Sequence, residues 1–158
     1  MERPRVSAGL LLFHGDRDVL KVLLVHPGGP FWAKKDDGAW TIPKGEVQPD
    51  EDLLSRARIE FEEELGVSAK GEVIELGSIK QKGGKIVHAW GLSGILPDGF
   101  IIRSNTFEME WPPRSGKTQQ FPEIDRAEFF DEETARRKIN PAQVAFIDRL
   151  RDRLEMIR

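Results

Sequence analysis

Two apolar runs open the chain. "RVSAGLLLFHG" (Arg5 to Gly15) and "VLKVLLVHP" (Val19 to Pro27) flank the polar "DRD" and predict two strands joined by a turn. "GGPFWAKKDDG" (Gly28 to Gly38) has the Gly, Pro and Asp content of a loop. "AWTIPKGE" begins extended, because Pro43 disfavours helix at Ile42. From Pro49 to Leu65 the period changes: Leu53, Leu54, Ala57, Phe61 and Leu65 recur at helical spacing. Asp50, Glu51 and Asp52 stand at the head of that predicted helix, where the helix dipole favours anions, and Gly66 ends it.

"EVIELGSIKQKGGKIVHAWGLSGIL" predicts two strands joined at Gly83 and Gly84. "SNTFEMEWPP" predicts another strand, "RSGKTQQFP" a polar loop, "IDRAEFF" a last strand and "DEETARRKI" a short helix. A final helix opens with Asn140 as cap and Pro141 at its first position. Its stripe of Val144, Ile147, Leu150, Leu154 and Ile157 is suited to packing on a sheet. Strands joined both by hairpins and across helices point to an α/β fold with a mixed β-sheet and helices packed on it. Nothing resembles a linker or a repeat, so residues 1–158 are expected to form one domain.

Composition narrows the function. A net charge of -3 gives no global basic field to attract a nucleic acid polymer. The chain has no cysteine, which excludes disulfides, thiolate metal sites and a cysteine nucleophile, and suits a reducing compartment. No apolar run is long enough to span a membrane, and "MERPRVSAG" lacks the apolar core of a secretory signal. A cytoplasmic location is expected.

"IEFEEELG" (Ile59 to Gly66) carries the chemistry. At about 100° per residue, Glu60, Glu63 and Glu64 fall within one arc of roughly 100°, Glu62 points away, and the apolar residues take another side. Like-charge pairs at these spacings destabilise a helix by about 0.2–0.5 kcal/mol each. A hard divalent cation, which takes oxygen ligands and shares them with phosphates, would offset that cost. A plain solvated acidic face is the alternative.

The run from Gly45 to Val67 resembles the Nudix hydrolase signature: Gly, five residues, Glu, seven residues, then Arg-Glu-apolar-any-Glu-Glu-any-Gly-apolar. Gly45, Glu51, Glu60, Phe61, Glu63, Glu64, Gly66 and Val67 match it. Ile59 departs from it, standing where the pattern has the arginine that orients and charge-balances the glutamates. Arg58 is rotated about 100° from that position, whereas Arg56 falls within the glutamate arc one turn before Glu60.

The resemblance implies an α/β/α sandwich and hydrolysis of a pyrophosphate bond in a nucleoside diphosphate linked to another moiety, with a dinucleoside polyphosphate among the substrates. It implies Mg²⁺ or Mn²⁺ held by Glu60, Glu63 and Glu64 with the Gly45 carbonyl. The catalytic base is one of the helix set or a glutamate from a later loop, Glu123 or Glu110. Glu51 is expected to orient the loop rather than bind metal. Lys44, in a "PKG" context similar to the diadenosine and diphosphoinositol polyphosphate branches, is expected to contact phosphates. Phe31, Trp32 and Trp40 are the aromatic residues considered for base stacking. Trp40 alternates with Ile42, which is expected to assign one of the two to the core. The alternative function is a catalytically weak nucleotide-binding or sensor module, for which Ile59 is the sequence support.

Overall fold

The computed structural model of the chain describes residues 5–16 and 18–156. In chain order its elements are β1 (Val6–His14), β2 (Lys21–Pro27), β3 (Lys44–Glu46), α1 (Leu53–Leu65), β4 (Val73–Lys80), β5 (Ile86–Ser93), β6 (Thr106–Glu110), β7 (Thr118–Pro122), β8 (Ile124–Asp131), α2 (Glu132–Lys138) and α3 (Val144–Met156). A single 3₁₀ turn, Pro141–Gln143, leads into α3.

β1 is the spine, with every residue from Ser7 to Phe13 buried. A strand buried on both faces needs a cover on each side. The main sheet runs β4-β5-β1-β2-β8. β1 pairs parallel to β5 and antiparallel to β2, so the sheet is mixed. Ala8, Leu10, Leu12, Leu23 and Val25 pack against Ala57, Phe61 and Leu65 of α1. Leu11, Phe13, Val22, Leu24 and Ala89 pack on the other face against Ala135 of α2 and Phe146, Ile147 and Leu150 of α3. Burying one such large side chain is worth about 1.5–3 kcal/mol, so each layer is held by several. This is the predicted α/β/α sandwich. Ile157, the last residue of the predicted stripe, lies outside the described residues.

β1 and β2 meet only at Phe13↔Val22 and His14↔Lys21. Toward the start of β1 they splay, and the segment from Thr41 to Glu46 enters the gap. Thr41 exchanges both backbone hydrogen bonds with Val25, at 2.9 and 3.0 Å. The Leu10 amide donates to the Pro43 carbonyl, and Gly9 faces Lys44 in register. Gly9 makes this approach possible, since a methyl group there would lie 2.5 Å from the Pro43 oxygen.

The structure differs from the sequence reading at three places. The helix starts at Leu53, not Pro49, because extended Asp52 caps it by accepting from the Ser55 amide. Glu51 therefore lies in the loop rather than in the first turn. Part of the predicted loop "RSGKTQQFP" is strand β7, which pairs with β6 as a separate hairpin. Its side chains are mostly exposed, so no alternation of apolar residues marked it. Trp40 and Ile42 both enter the core, since residues two apart on an extended chain share a face. No described helix is long and apolar enough to cross a membrane.

Gln143 holds the inserted segment from below. It is fully buried; its Oε1 accepts from the Ile42 amide at 3.0 Å, and its Nε2 donates to Thr41 Oγ1 and Gln81 Oε1 at 2.8 and 2.9 Å. Gln143→Met keeps the volume but leaves the Ile42 amide unpaired. It is expected to lower unfolding free energy by about 1–3 kcal/mol, read from urea denaturation at unchanged m-value.

Candidate active site

α1 carries its buried stripe into the sheet and its acidic arc toward the inserted segment. Gly66 ends it in the left-handed region at φ 71°, with its amide bonded to the Glu62 carbonyl at 2.7 Å. Glu62 and Arg58, outside the acidic arc, secure the chain beyond the helix. Glu62 accepts from the Ala69 amide at 3.0 Å, and Arg58 donates to the Ala69 and Gly71 carbonyls. Arg58 is therefore no stand-in for the arginine missing at Ile59.

Glu60 lies directly against Gly45. A methyl group on Gly45 would sit 2.0 Å from Glu60 Cδ, so any residue other than glycine would displace the carboxylate. On its other side Glu60 meets Arg56, whose Nη1 is 3.4 Å from Glu60 Oε1. Arg56 also grips Glu51 through Nε, at 2.8 Å, and through Nη2. Glu51 accepts from the Gln48 amide at 2.9 Å, so it orients the loop, as its position in the sequence suggested. The Arg56 guanidinium and the Gln48 amide hold the Glu51 carboxyl below the usual range.

Glu64 is the most strained member electrostatically. Its Oε2 is buried and has no hydrogen-bond partner. Burial, then the neighbouring Glu60 charge, push its pKa up to about 9; Lys44 opposes this and Glu123 adds to it. Glu60 is raised as well, chiefly by burial and next by Glu63, while Arg56 pulls it back and Glu123 pushes it up. Glu123, from the connection between β7 and β8, thus lies within electrostatic reach of both helix glutamates. Glu110 is turned to its own hairpin, where it accepts from the Arg114 amide at 2.8 Å. Glu63 is exposed on the helix surface.

A hard divalent cation fits this donor set: all oxygen, strongly acidic, and including a buried oxygen that nothing satisfies. Among the described residues, no three carboxylate or imidazole groups are already gathered round one point. A cation would therefore have to draw side chains together, the exposed Glu63 included.

Lys44 precedes Gly45 and is largely buried. Desolvation, then the nearby Lys85 charge, hold its pKa below the ordinary lysine range, while Glu64 and Glu60 oppose that shift. Lys44 therefore places a cation beside Glu60 and Glu64. Trp40 lies away from any such task. It is 1 % exposed, its ring packs edge-on against His26 and Phe130, and its Nε1 donates to Asp36 Oδ1 at 2.8 Å. No face is left for a nucleobase, which corrects the expectation for this residue.

The aromatic surface lies instead in the Gly28–Gly38 loop. Phe31 is 63 % exposed and meets Trp32 edge-on, with Lys35 Nζ 3.5 Å from the Phe31 ring centre. The loop is fixed rather than slack. Buried His26 is hydrogen-bonded at both ring nitrogens, to Asp125 Oδ1 at 2.8 Å and to the Lys35 carbonyl at 2.6 Å. Asp36 pairs with Lys138 at 2.5 Å, and the Gly28 amide donates to the Glu123 carbonyl at 2.9 Å. His26 lies in a strand and is packed, as its sequence context suggests, but its partner Asp125 and the partner of Asp36, Lys138, are too distant in the chain for local pattern to reveal.

A model of the NUDIX domain matches residues 3–150. Among solved structures, the Caenorhabditis elegans Ap4A hydrolase binary complex is similar at TM-score 0.66 and 19 % identity, covering 95 % of this chain and 98 % of that one. The NUDIX domain of Shewanella oneidensis NrtR, complexed with ADP ribose, is similar at TM-score 0.64 and 16 % identity, covering 98 % and 90 %. MutT protein from Methanosarcina mazei Go1 reaches TM-score 0.60 at 20 % identity, covering 98 % of each chain. A search of curated protein sequences found no match.

A folded-state pKa raised above the unfolded value makes stability greatest below the unfolded pKa, about 4.3 for glutamate, and loses it as pH rises toward the folded value. For Glu64 that window runs from there to about 9. With chelator present at pH 8, Glu64→Gln is therefore expected to melt about 5 °C or more above wild type, the advantage vanishing toward pH 4. Added Mg²⁺ should raise the wild-type melting temperature and leave the variant nearly unmoved.

Proposed function

The chain belongs to the Nudix family, and from that premise we propose that it is a pyrophosphohydrolase acting on a nucleoside diphosphate linked to another moiety. The observation that carries this reading is the buried, unpartnered oxygen of Glu64 beside Glu60, whose own carboxylate lies against Gly45. Glu60, Glu63 and Glu64, with the Gly45 carbonyl, would hold Mg²⁺ or Mn²⁺. When bound, the metal polarises a phosphoryl oxygen and lowers the pKa of water.

The chain's own groups supply the rest. Glu123, acting as base, takes the proton of the water whose oxygen attacks phosphorus; the phosphorus–oxygen anhydride bond breaks and the leaving phosphate departs with its electron pair. Lys44 contacts a phosphate oxygen, its burial making that contact stronger than it would be in water. Phe31 and Trp32, rather than Trp40, offer a face to a base. A dinucleoside polyphosphate is the favoured substrate, supported by the "PKG" setting of Lys44 and by likeness to an Ap4A hydrolase. We place this activity in a single domain, in the cytoplasm, on a small-molecule nucleotide rather than a nucleic acid polymer or a membrane.

A nucleotide-binding module without turnover is the second reading. Ile59 and likeness to a NUDIX domain complexed with ADP ribose favour it. The retained acidic arc weighs against it, because a pure binder gains nothing from mutual repulsion. Incubation with dinucleoside polyphosphates, nucleotide sugars and nucleoside triphosphates, with and without Mg²⁺, separates the two. The expected result is Mg²⁺-dependent hydrolysis of at least one class, reduced roughly 100-fold by Glu63→Gln. Binding without turnover across the panel would establish the module instead.

A further inference from the structure

We propose that Arg56 is the positioning residue that fixes Glu60 in the groove, a task the family motif assigns to the position occupied here by Ile59. The proposal rests on the reading of Glu60 as a metal-holding residue. It concerns which cation of this chain keeps that residue in place.

Arg56 and Glu60 are one turn apart on α1, the spacing at which helix side chains meet. The Arg56 side chain is 23 % exposed, and those of Glu51 and Glu60 are 24 % and 19 % exposed. The three form a half-buried chain rather than a solvated surface pair. A planar guanidinium has five N–H donors in a fixed fork, so it can hold two carboxylates at once. Here two of its nitrogens take Glu51 and the third faces Glu60. Glu51 is anchored in turn by the Gln48 amide. The connection therefore runs from the loop, through Glu51 and Arg56, to Glu60, which is stopped on its far side by Gly45.

Ile59 takes no part in it. It is 40 % exposed and its apolar side chain offers no donor to either carboxylate. Both carboxylates that an arginine there could balance already have a partner. In this chain the positive charge stands three residues before the motif position, in contact with the loop glutamate Glu51 as well as Glu60.

The test compares Arg56→Ala, Arg56→Lys and Ile59→Arg with wild type in two ways. One is the kcat and KM on the best substrate of the panel. The other is the Mn²⁺ concentration at half-saturation, measured by electron paramagnetic resonance without substrate. Arg56→Ala is expected to lower kcat and weaken Mn²⁺ binding by about 10–100-fold each, with KM within about twofold of wild type. Arg56→Lys, which keeps the charge but cannot span both carboxylates, should recover part of each loss. Ile59→Arg should stay within about twofold of wild type in both.

Wild-type kcat and Mn²⁺ affinity in folded Arg56→Ala would overturn the proposal. So would a tenfold gain in Ile59→Arg, which would mean that the position was vacant. If Arg56→Ala does not fold, Arg56→Gln, which retains much of the stem, gives the same comparison. The Mn²⁺ measurement also separates failures: a wild type that hydrolyses nothing sinks the enzymatic reading, while metal affinity still judges Arg56.

Discussion

The site is arranged about the contact of Glu60 with Gly45. With no room for a methyl group on Gly45, the Glu60 carboxylate lies directly against the inserted segment. Glu60 and Glu64 are thereby partly withdrawn from water, while Glu63 stays exposed. Desolvation and mutual repulsion then act in the same direction, which is why Glu60 and Glu64 both hold their protons more tightly than free glutamate. Glu64 Oε2 is one of two buried side-chain oxygens without a partner among the described residues, the other being Glu132 Oε1 on α2. What sets Glu64 apart is its place beside Glu60, and the packing of Ala57, Phe61 and Leu65 beneath holds the helix there.

The frame that enforces this contact is the divergence of β1 from β2. Had they paired along their whole length, the segment from Thr41 to Glu46 would have no edge to join and Gly45 could not face α1. Instead the segment is hydrogen-bonded to both strands, with Gly9 admitting it on one side and buried Gln143 bracing it beneath. Lys44 is carried into the same crowded place, which explains its depressed basicity. The electrostatic character of the site is thus a consequence of sheet topology.

Much of this was legible in the chain. Buried strands and the helical spacing of Leu53, Ala57, Phe61 and Leu65 announce themselves by periodicity, and the glutamate arc follows from the same geometry. Arg56 too could be placed beside Glu60 by its one-turn spacing. What local pattern could not disclose was long-range pairing. The Asp125 and Lys35 partners of His26, the bond between Gly28 and Glu123, and the edge that β7 finds on β6 all depend on the tertiary fold. Trp40 differs from its expectation for another reason: residues two apart on an extended chain share a face, so Trp40 and Ile42 enter the core together.

Those long-range contacts tie the site's two halves together. Glu123 gives its carbonyl to Gly28, at the base of the loop that presents Phe31 and Trp32, while its charge is felt by Glu60 and Glu64. His26 and Asp36 fasten the same loop to β8 and α2. The loop that presents the aromatic surface is thus tied by hydrogen bonds to the same elements that carry Glu123. A ligand that reached both the acidic groove and the aromatic surface would not have to order the loop first, so less of its binding energy would be lost to conformational entropy.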